Sequence, residues 1–166
     1  MRNKQKGFSL IELLIVVAII LIIAAIAIPN LIRSKMAANE ASAVATLRTL
    51  NTAEVVYSST YNVANTFANS LAALGDGGSA GLCTAGFAPN STAACLIDVA
   101  IENATTTANA KSGYILAYPV PGVNGYTINN DAAQQGTTGT RHFFTNQTLV
   151  ITQNSAAAAT AGDSPI

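Results

Sequence analysis

The sequence predicts an α+β protein in which a long N-terminal α-helix packs on a C-terminal antiparallel β-sheet. Residues 8–28 are almost entirely apolar, residues 30–61 contain neither Gly nor Pro, and β-rich segments separated by turn residues follow residue 110. A helix with an apolar stripe needs a surface to cover that stripe, and consecutive strands provide one. The sheet is therefore expected to form the head of the protein, with the helix packed on it.

The charge pattern gives no indication of a nucleic-acid partner. The chain of 166 residues carries eight basic and eight acidic side chains, and basic residues become rare after residue 48. A nucleic-acid-binding domain typically concentrates its basic residues on one face. The length suits one domain with an appendage, and the appendage is expected at the apolar N-terminus.

The apolar segment is long enough to cross a membrane. The polar, basic stretch MRNKQKG precedes it, and Ser9 and Glu12 are the only polar residues between residues 8 and 28. A helix over these residues spans about 31 Å, which is close to the hydrocarbon thickness of a bilayer. Basic residues ahead of the span favour a cytoplasmic N-terminus.

Two ordinary explanations of this segment fit less well. A secretory signal peptide would be cut after Ala27, at the A-x-A match Ala25-Ile26-Ala27, and would release a secreted binding protein or enzyme. Its apolar region is long for a signal. A plain membrane anchor leaves Glu12 unexplained, because a carboxylate inside a bilayer costs about 2.5 kcal/mol or more.

The stretch KGFSLIELLIVVAIILIIAAIAIP resembles the class III signal and first helix of type IV pilins and type II secretion pseudopilins. A basic leader, Gly-Phe, Glu and Pro are the four landmarks of this resemblance. It implies that a prepilin peptidase cuts between Gly7 and Phe8 and then N-methylates Phe8. It also implies that Glu12 sets the register of subunits during assembly and that Pro29 kinks the helix.

Charge considerations agree with that role for Glu12. A cut before the apolar run keeps the membrane helix on the mature chain and creates an α-ammonium at a helix N-terminus, where positive charge is unfavourable. An unpaired ammonium or carboxylate among apolar helices is costly. We therefore expect Glu12 to pair with the Phe8 amine of an adjacent subunit.

The expected organisation has five parts. These are a leader peptide at 1–7, a transmembrane and assembly helix at 8–28, the amphipathic half of the helix at 29–61, a globular head at 62–154 and a flexible tail at 155–166. Pro29 lacks an N–H and is expected to kink or locally melt the helix.

An apolar stripe on the amphipathic half is expected to face the core of the head. Its members recur at helical spacing and are Val44, Leu47, Leu50, Tyr57 and Tyr61. The polar residues Arg33, Lys35, Arg48 and Asn51 are expected mainly on other faces.

The head is expected to contain a short helix within Asn62–Leu74 and strands at Lys111–Val120, Gly125–Asn130 and Arg141–Gln153. Cys83 and Cys95 are an even pair, which in an exported chain indicates a disulfide and in the cytosol two thiols. The pair lies mid-chain, whereas many pilins have theirs near the C-terminus, so a receptor role is not transferred to this loop.

No catalytic, cofactor-binding or metal-binding residue is expected. Gly77-Gly78-Ser79-Ala80-Gly81 matches G-x-S-x-G, but no strand precedes it, and His142 has no evident carboxylate partner. After Glu102 the only carboxylates are Asp131 and Asp163. Too few remain for the C-terminal calcium site of major pseudopilins, which favours a pilus subunit.

The expected function is therefore structural and not enzymatic: a major pilin-like subunit that polymerises into a type IV pilus. The alternatives are a major pseudopilin of type II secretion and a conventionally secreted protein. The resemblance implies as partners other copies of the chain, the prepilin peptidase and methyltransferase, and an assembly ATPase acting through an inner-membrane platform protein. It implies membrane lipid as the surroundings before assembly. It places the precursor in the inner membrane and the pilus at the cell surface. Adhesion, twitching motility, DNA uptake and secretion are the alternatives for the task of the pilus.

Overall fold

The computed structural model of the protein describes residues 8–61, 66–79, 81–119 and 125–166. The chain divides into two compact units, Met1–Lys35 and Met36–Ile166. The α-helix α1 (Leu10–Thr60) begins in the first unit and ends in the second. Five antiparallel strands follow it, so the predicted α+β fold class is confirmed.

In the first unit, the apolar side chains of the helix are exposed. Between Phe8 and Ile32 the large apolar side chains are 46 to 79 % exposed. The helix is long and apolar enough to cross a membrane, with a mean hydropathy of 3.3 in its most apolar window. Helical backbone continues through Pro29, so the local melting expected there does not occur, while the kink stays a prediction.

In the second unit, the apolar stripe of α1 lies in the core. Leu47 and Leu50 are completely buried, Tyr57 is buried, and Val44 and Tyr61 pack against them from the edge. The predicted stripe is therefore confirmed.

Asn51 differs from the expectation that it falls on another face. Its side chain lies inside the head, with 7 % of the residue exposed. Burial of an amide is tolerated when hydrogen-bond partners are present, and the sheet provides them.

The sheet is a meander in which each strand pairs with the next in the chain. Its strands are β1 (Tyr114–Ala117), β2 (Thr127–Ala132), β3 (His142–Asn146), β4 (Ile151–Asn154) and β5 (Ser164–Pro165). Tyr114 of β1 lies opposite Ala132 of β2, and Phe143 of β3 lies opposite Gln153 of β4. Tyr126, directly before β2, and the strand residues Ile128 and Phe143 lie in the same hydrophobic core as the apolar stripe of α1.

The segment Arg141–Gln153, predicted as one strand, is a hairpin of β3 and β4. Asn146 ends β3, and its side-chain oxygen accepts the Thr148 N–H at 3.0 Å. Leu149 then adopts a positive φ of 65°, which reverses the chain. The prediction of a single strand was wrong because an Asn that bonds the backbone two residues on makes a turn within an otherwise β-rich stretch.

Residues 155–166, expected as a flexible tail, include a strand and a turn that contact the sheet. β5 pairs with β4, and Ala159 is 2 % exposed. The carboxylate of Asp163 accepts the backbone N–H of Thr160 at 2.7 Å and closes a turn. These contacts fix a segment whose small, polar composition indicated fraying.

Between α1 and the sheet lie short elements and one disulfide. The elements are α2 (Leu71–Leu74), α3 (Val99–Glu102) and the 3₁₀-helix η1 (Thr107–Asn109). α2 is the short helix expected before residue 75. Cys83 and Cys95 form the predicted disulfide, with their Cα atoms 5.7 Å apart.

Candidate functional site

The exposed apolar helix of the first unit is the candidate functional surface. The Ser9 carbonyl accepts the N–H groups of Glu12 at 3.1 Å and Leu13 at 3.2 Å, so the helix begins immediately after Phe8 and Ser9. Glu12 lies in the first turn, where a carboxylate is favourable for the helix dipole. Gly7, the other residue of the expected cut, lies outside the described residues.

The carboxylate of Glu12 makes no hydrogen bond or ion pair with any residue of the described ranges. It is the single acidic side chain of an apolar surface that extends from Phe8 to Ile28. Such a surface is stable in lipid or against other apolar helices, and not in water.

Polar contacts in the second unit join α1 to the sheet. Glu40 of α1 accepts a hydrogen bond from Arg141 Nε at 2.7 Å and from the Thr140 N–H at 2.8 Å. Burial, the largest influence, acts to raise the pKa of Glu40, but the bonds from Thr140 and Arg141 together outweigh it and lower that pKa. Glu40 therefore acts as a charged link between helix and sheet.

A second acidic side chain of α1 holds the chain beyond the helix. Glu54 is completely buried, accepts the Ala68 N–H at 3.0 Å and accepts the Tyr118 hydroxyl. Burial raises the pKa of Glu54 to about 6, against the smaller lowering effect of these two bonds. The Tyr118 hydroxyl oxygen also lies 2.7 Å from the Ala68 carbonyl oxygen and shares its one hydrogen between the two acceptors, so one carboxylate and one phenol connect three segments.

The G-x-S-x-G match belongs to a loop that wraps a buried carboxylate. Glu102 accepts the Asp76 N–H and the Gly78 N–H, each at 2.9 Å. Gly77 and Gly78 have φ values of 75° and 78°, which side-chain-bearing residues rarely adopt. The loop follows α2 and not a strand, so it lacks the geometry of a nucleophile elbow.

His142 has a carboxylate partner that the sequence did not reveal. Its Nδ1 lies 2.8 Å from Asp131 Oδ1, across the β2–β3 pair. The expectation of no partner was wrong because adjacent strands bring residues of distant sequence position side by side. Within the described ranges, no group of three or more His, Cys, Asp or Glu side chains is arranged to hold a metal ion.

Comparison with known proteins finds one family model and two relatives that match parts of the chain. Residues 2–28 match the family model described as the prokaryotic N-terminal methylation motif. The chain is 44 % identical over 68 residues to the type IV major pilin protein PilA of Myxococcus xanthus, covering 41 % of this chain and 31 % of that protein. It is 62 % identical over 40 residues to the type IV wide pilus major component PilA4 of Thermus thermophilus, covering 24 % of this chain and 30 % of that protein.

These matches cover under a third of each relative's length, and no solved structure matches the chain. The aligned lengths are too short to include all of the second unit. The family-model match covers the segment that carries Gly7, Phe8 and Glu12.

Proposed function

We propose that this chain, which belongs to the type IV pilin family through its N-terminal segment, is a structural subunit that polymerises into a type IV pilus. The observation that carries the proposal is the uncovered apolar helix with one unpaired carboxylate, Glu12, in its first turn. The names of the two relatives support a major pilus subunit over a pseudopilin. The match to the methylation motif supports a cut before the helix over a conventional signal peptide cut after Ala27.

Processing would leave the membrane helix on the mature chain. A peptidase cut between Gly7 and Phe8 removes the basic leader, and methylation then modifies the new N-terminus at Phe8. The resulting ammonium and the Glu12 carboxylate lie one helical turn apart, at the same end of an apolar surface. Before assembly this surface is embedded in the lipid of the inner membrane.

Assembly exchanges lipid contacts for contacts with other copies. Leaving the bilayer exposes each large aliphatic side chain to water at a cost of roughly 1.5–3 kcal/mol, so other copies must cover it. Ala24, Ala25 and Ala27 allow helices to approach closely. An assembly ATPase acting through a platform protein would provide the work, and an ion pair between Glu12 and a neighbour's Phe8 amine would select the register.

Glu12→Ala tests this function directly, with Ser9→Ala as the matched control in the same turn. Filaments are sheared from cells, imaged, and checked for this subunit by mass spectrometry. Surface filaments that contain this subunit are expected for cells with the wild-type chain and for cells with Ser9→Ala. A strong loss of filaments is expected for Glu12→Ala, although the cells still make the precursor. Wild-type cells whose surface filaments lack this chain would contradict the function, and normal assembly of Glu12→Ala would contradict the role of Glu12.

A further inference from the structure

The second unit contains one basic side chain that nothing in its own structure compensates. Arg141 pairs with Glu40, and the Lys111 ammonium donates to the Thr46 hydroxyl at 3.1 Å. Among the described residues of 36–166, Arg48 is the one Lys or Arg whose side chain makes no hydrogen bond or ion pair. A cation of this kind is available to a partner.

Arg48 lies in an apolar groove, here called the Arg48 groove. The groove has a volume of about 360 Å³ and is formed by the exposed face of α1 and the β3–β4 turn, with Arg48, Asn51, Thr52, Val55, Val56 and Leu149 as its lining. Val55, Val56 and Leu149 are exposed. Exposed apolar side chains grouped around a charge are typical of protein–protein contacts.

Most acidic side chains of the second unit are compensated within it. Glu40 and Asp131 each pair with a basic side chain. Glu54 and Glu102 are buried and accept backbone N–H groups. Asp163 is bonded through both oxygens, because Oδ1 accepts from Asn154 and Oδ2 accepts from Thr160.

Within the described residues of 36–166, Asp98 is the exposed carboxylate that makes no ion pair. Its Oδ1 accepts the Ala100 N–H at 3.0 Å, and no other bond to its side chain is present among the described residues. It lies at a cavity of about 460 Å³, here called the Asp98 cavity, lined by Asp98, Val99, Ala100, Asn103, Asn109, Ala110 and Lys111. Val99 is exposed beside it, and the Lys111 ammonium of the lining donates to the Thr46 hydroxyl and makes no ion pair with Asp98.

We propose that the Arg48 groove of one copy binds the Asp98 surface of a second copy, with Arg48 paired to Asp98 and the exposed valines in contact. Charge complementarity selects this occupant, because Arg48 and Asp98 are the two exposed charged residues among the described residues of 36–166 and have opposite sign. The groove and the cavity share no lining residue, so the contact joins different surfaces of identical chains. A head-to-tail contact whose rotation does not close into a ring leaves one free groove and one free Asp98 at the ends and continues into a filament.

This proposal rests on the proposed function, since it names a head contact within the same filament. It concerns residues 36–166, whereas Glu12 and Phe8 belong to the first unit. The two contacts can therefore be tested separately.

Cysteine cross-linking in filaments tests the contact. Cys83 and Cys95 are already joined, so a chain with Arg48→Cys and Asp98→Cys adds two thiols. A short bis-maleimide, which spans a wider gap than the Cα separation of about 6 Å in a disulfide, is expected to cross-link sheared filaments into a ladder of dimers, trimers and higher species on a denaturing gel. Each single variant, and the matched pair Arg48→Cys with Asp163→Cys, is expected to give none. A product that stops at the dimer would overturn the head-to-tail arrangement.

Charge exchange provides a second readout. Arg48→Glu places like charges in contact and is expected to reduce sheared filament by about tenfold or more. Adding Asp98→Arg to the same chain is expected to restore most of the yield. Asp98→Asn keeps an oxygen for the Ala100 N–H and is expected to weaken assembly by roughly fivefold, the effect of one lost ion pair.

The outcomes separate the two proposals. Wild-type filaments of this chain that give neither a ladder nor rescue by charge exchange would overturn the head contact and leave the pilus function intact. Absence of this chain from filaments would overturn both. Mass spectrometry of the precursor and near-ultraviolet circular dichroism establish that each variant is made and folded.

Discussion

Asn51 of α1 donates a hydrogen bond from its amide to the hydroxyl of Thr145 in β3, at 2.9 Å, although 94 residues separate them in the chain. The Asn51 oxygen also accepts the Tyr126 hydroxyl at 2.9 Å. One polar side chain thus fixes the helix to two segments of the head, with 7 % of the residue exposed.

Asn51→Leu is expected to lower the free energy of unfolding of the head by roughly 2–3 kcal/mol. The change leaves the buried hydroxyls of Thr145 and Tyr126 without this partner, and a buried unsatisfied group costs about 1–3 kcal/mol. Urea unfolding of the full chain in detergent, followed by near-ultraviolet circular dichroism, measures the effect, because all five tyrosines lie after residue 56. Thr49→Ala, on the exposed face of α1, is the control and should change stability little. An unchanged midpoint for Asn51→Leu would show that these bonds do not stabilise the head.

Glu54 is expected to make the head less stable as the pH rises from 4.5 to above 6. Burial raises the pKa of Glu54 from its ordinary 4.5 to about 6, so the folded state binds the proton more tightly than the unfolded chain does. The stability that Glu54 contributes by binding this proton is full below pH 4.5 and is lost as the pH rises through about 6. The difference between the two pKa values corresponds to roughly 2 kcal/mol.

Comparison with Glu54→Gln isolates this effect from other titrating groups. Burial also raises the pKa of Glu102, while hydrogen bonds lower that of Glu40, so the total pH dependence is a sum. Subtracting the variant's unfolding free energy from that of the wild type at each pH should give a curve that falls between pH 4.5 and 6. A flat difference would contradict the raised pKa of Glu54.

Replacing Glu40 with Gln is expected to destabilise the head more at neutral pH than at acid pH. This pH trend is the reverse of the one expected for Glu54. The pKa of Glu40 is lowered on balance, so the stability that its charge provides is present above the ordinary pKa and is lost as the pH falls through the folded-state value. At pH 7 the variant should be destabilised by about 1–3 kcal/mol, because Arg141 and the Thr140 N–H lose a charged acceptor. The same urea titration at acid pH should show a smaller loss of unfolding free energy for the variant. An equal loss at both pH values would contradict this explanation.

The sequence predicted those features that depend on local spacing. Leu47, Leu50 and Tyr57 repeat with the period of a helix, and they line the core as expected. Cys83 and Cys95 enclose a short loop, and they form the expected disulfide.

Features that depend on distant residues were missed. The burial of Asn51 is stabilised by Tyr126 and Thr145, and spacing along α1 contains no information about them. The pairing of His142 with Asp131 follows from the register of β2 and β3, which a single sequence does not fix. The β3–β4 turn did have a local signal, since Asn146 precedes Thr148 in a pattern that closes a turn, but the apolar residues around it obscured that signal.

The N-terminus of the mature protein tests the central claim most directly. Intact-mass and N-terminal peptide analysis of the chain from sheared filaments is expected to show a chain that starts at Phe8 with a methylated amine and retains Glu12 and the whole apolar helix. That result would establish that the helix is a permanent part of the subunit, available for assembly. A mature chain that starts at Ile28 would contradict the account, because the helix would then have served only to export a secreted domain.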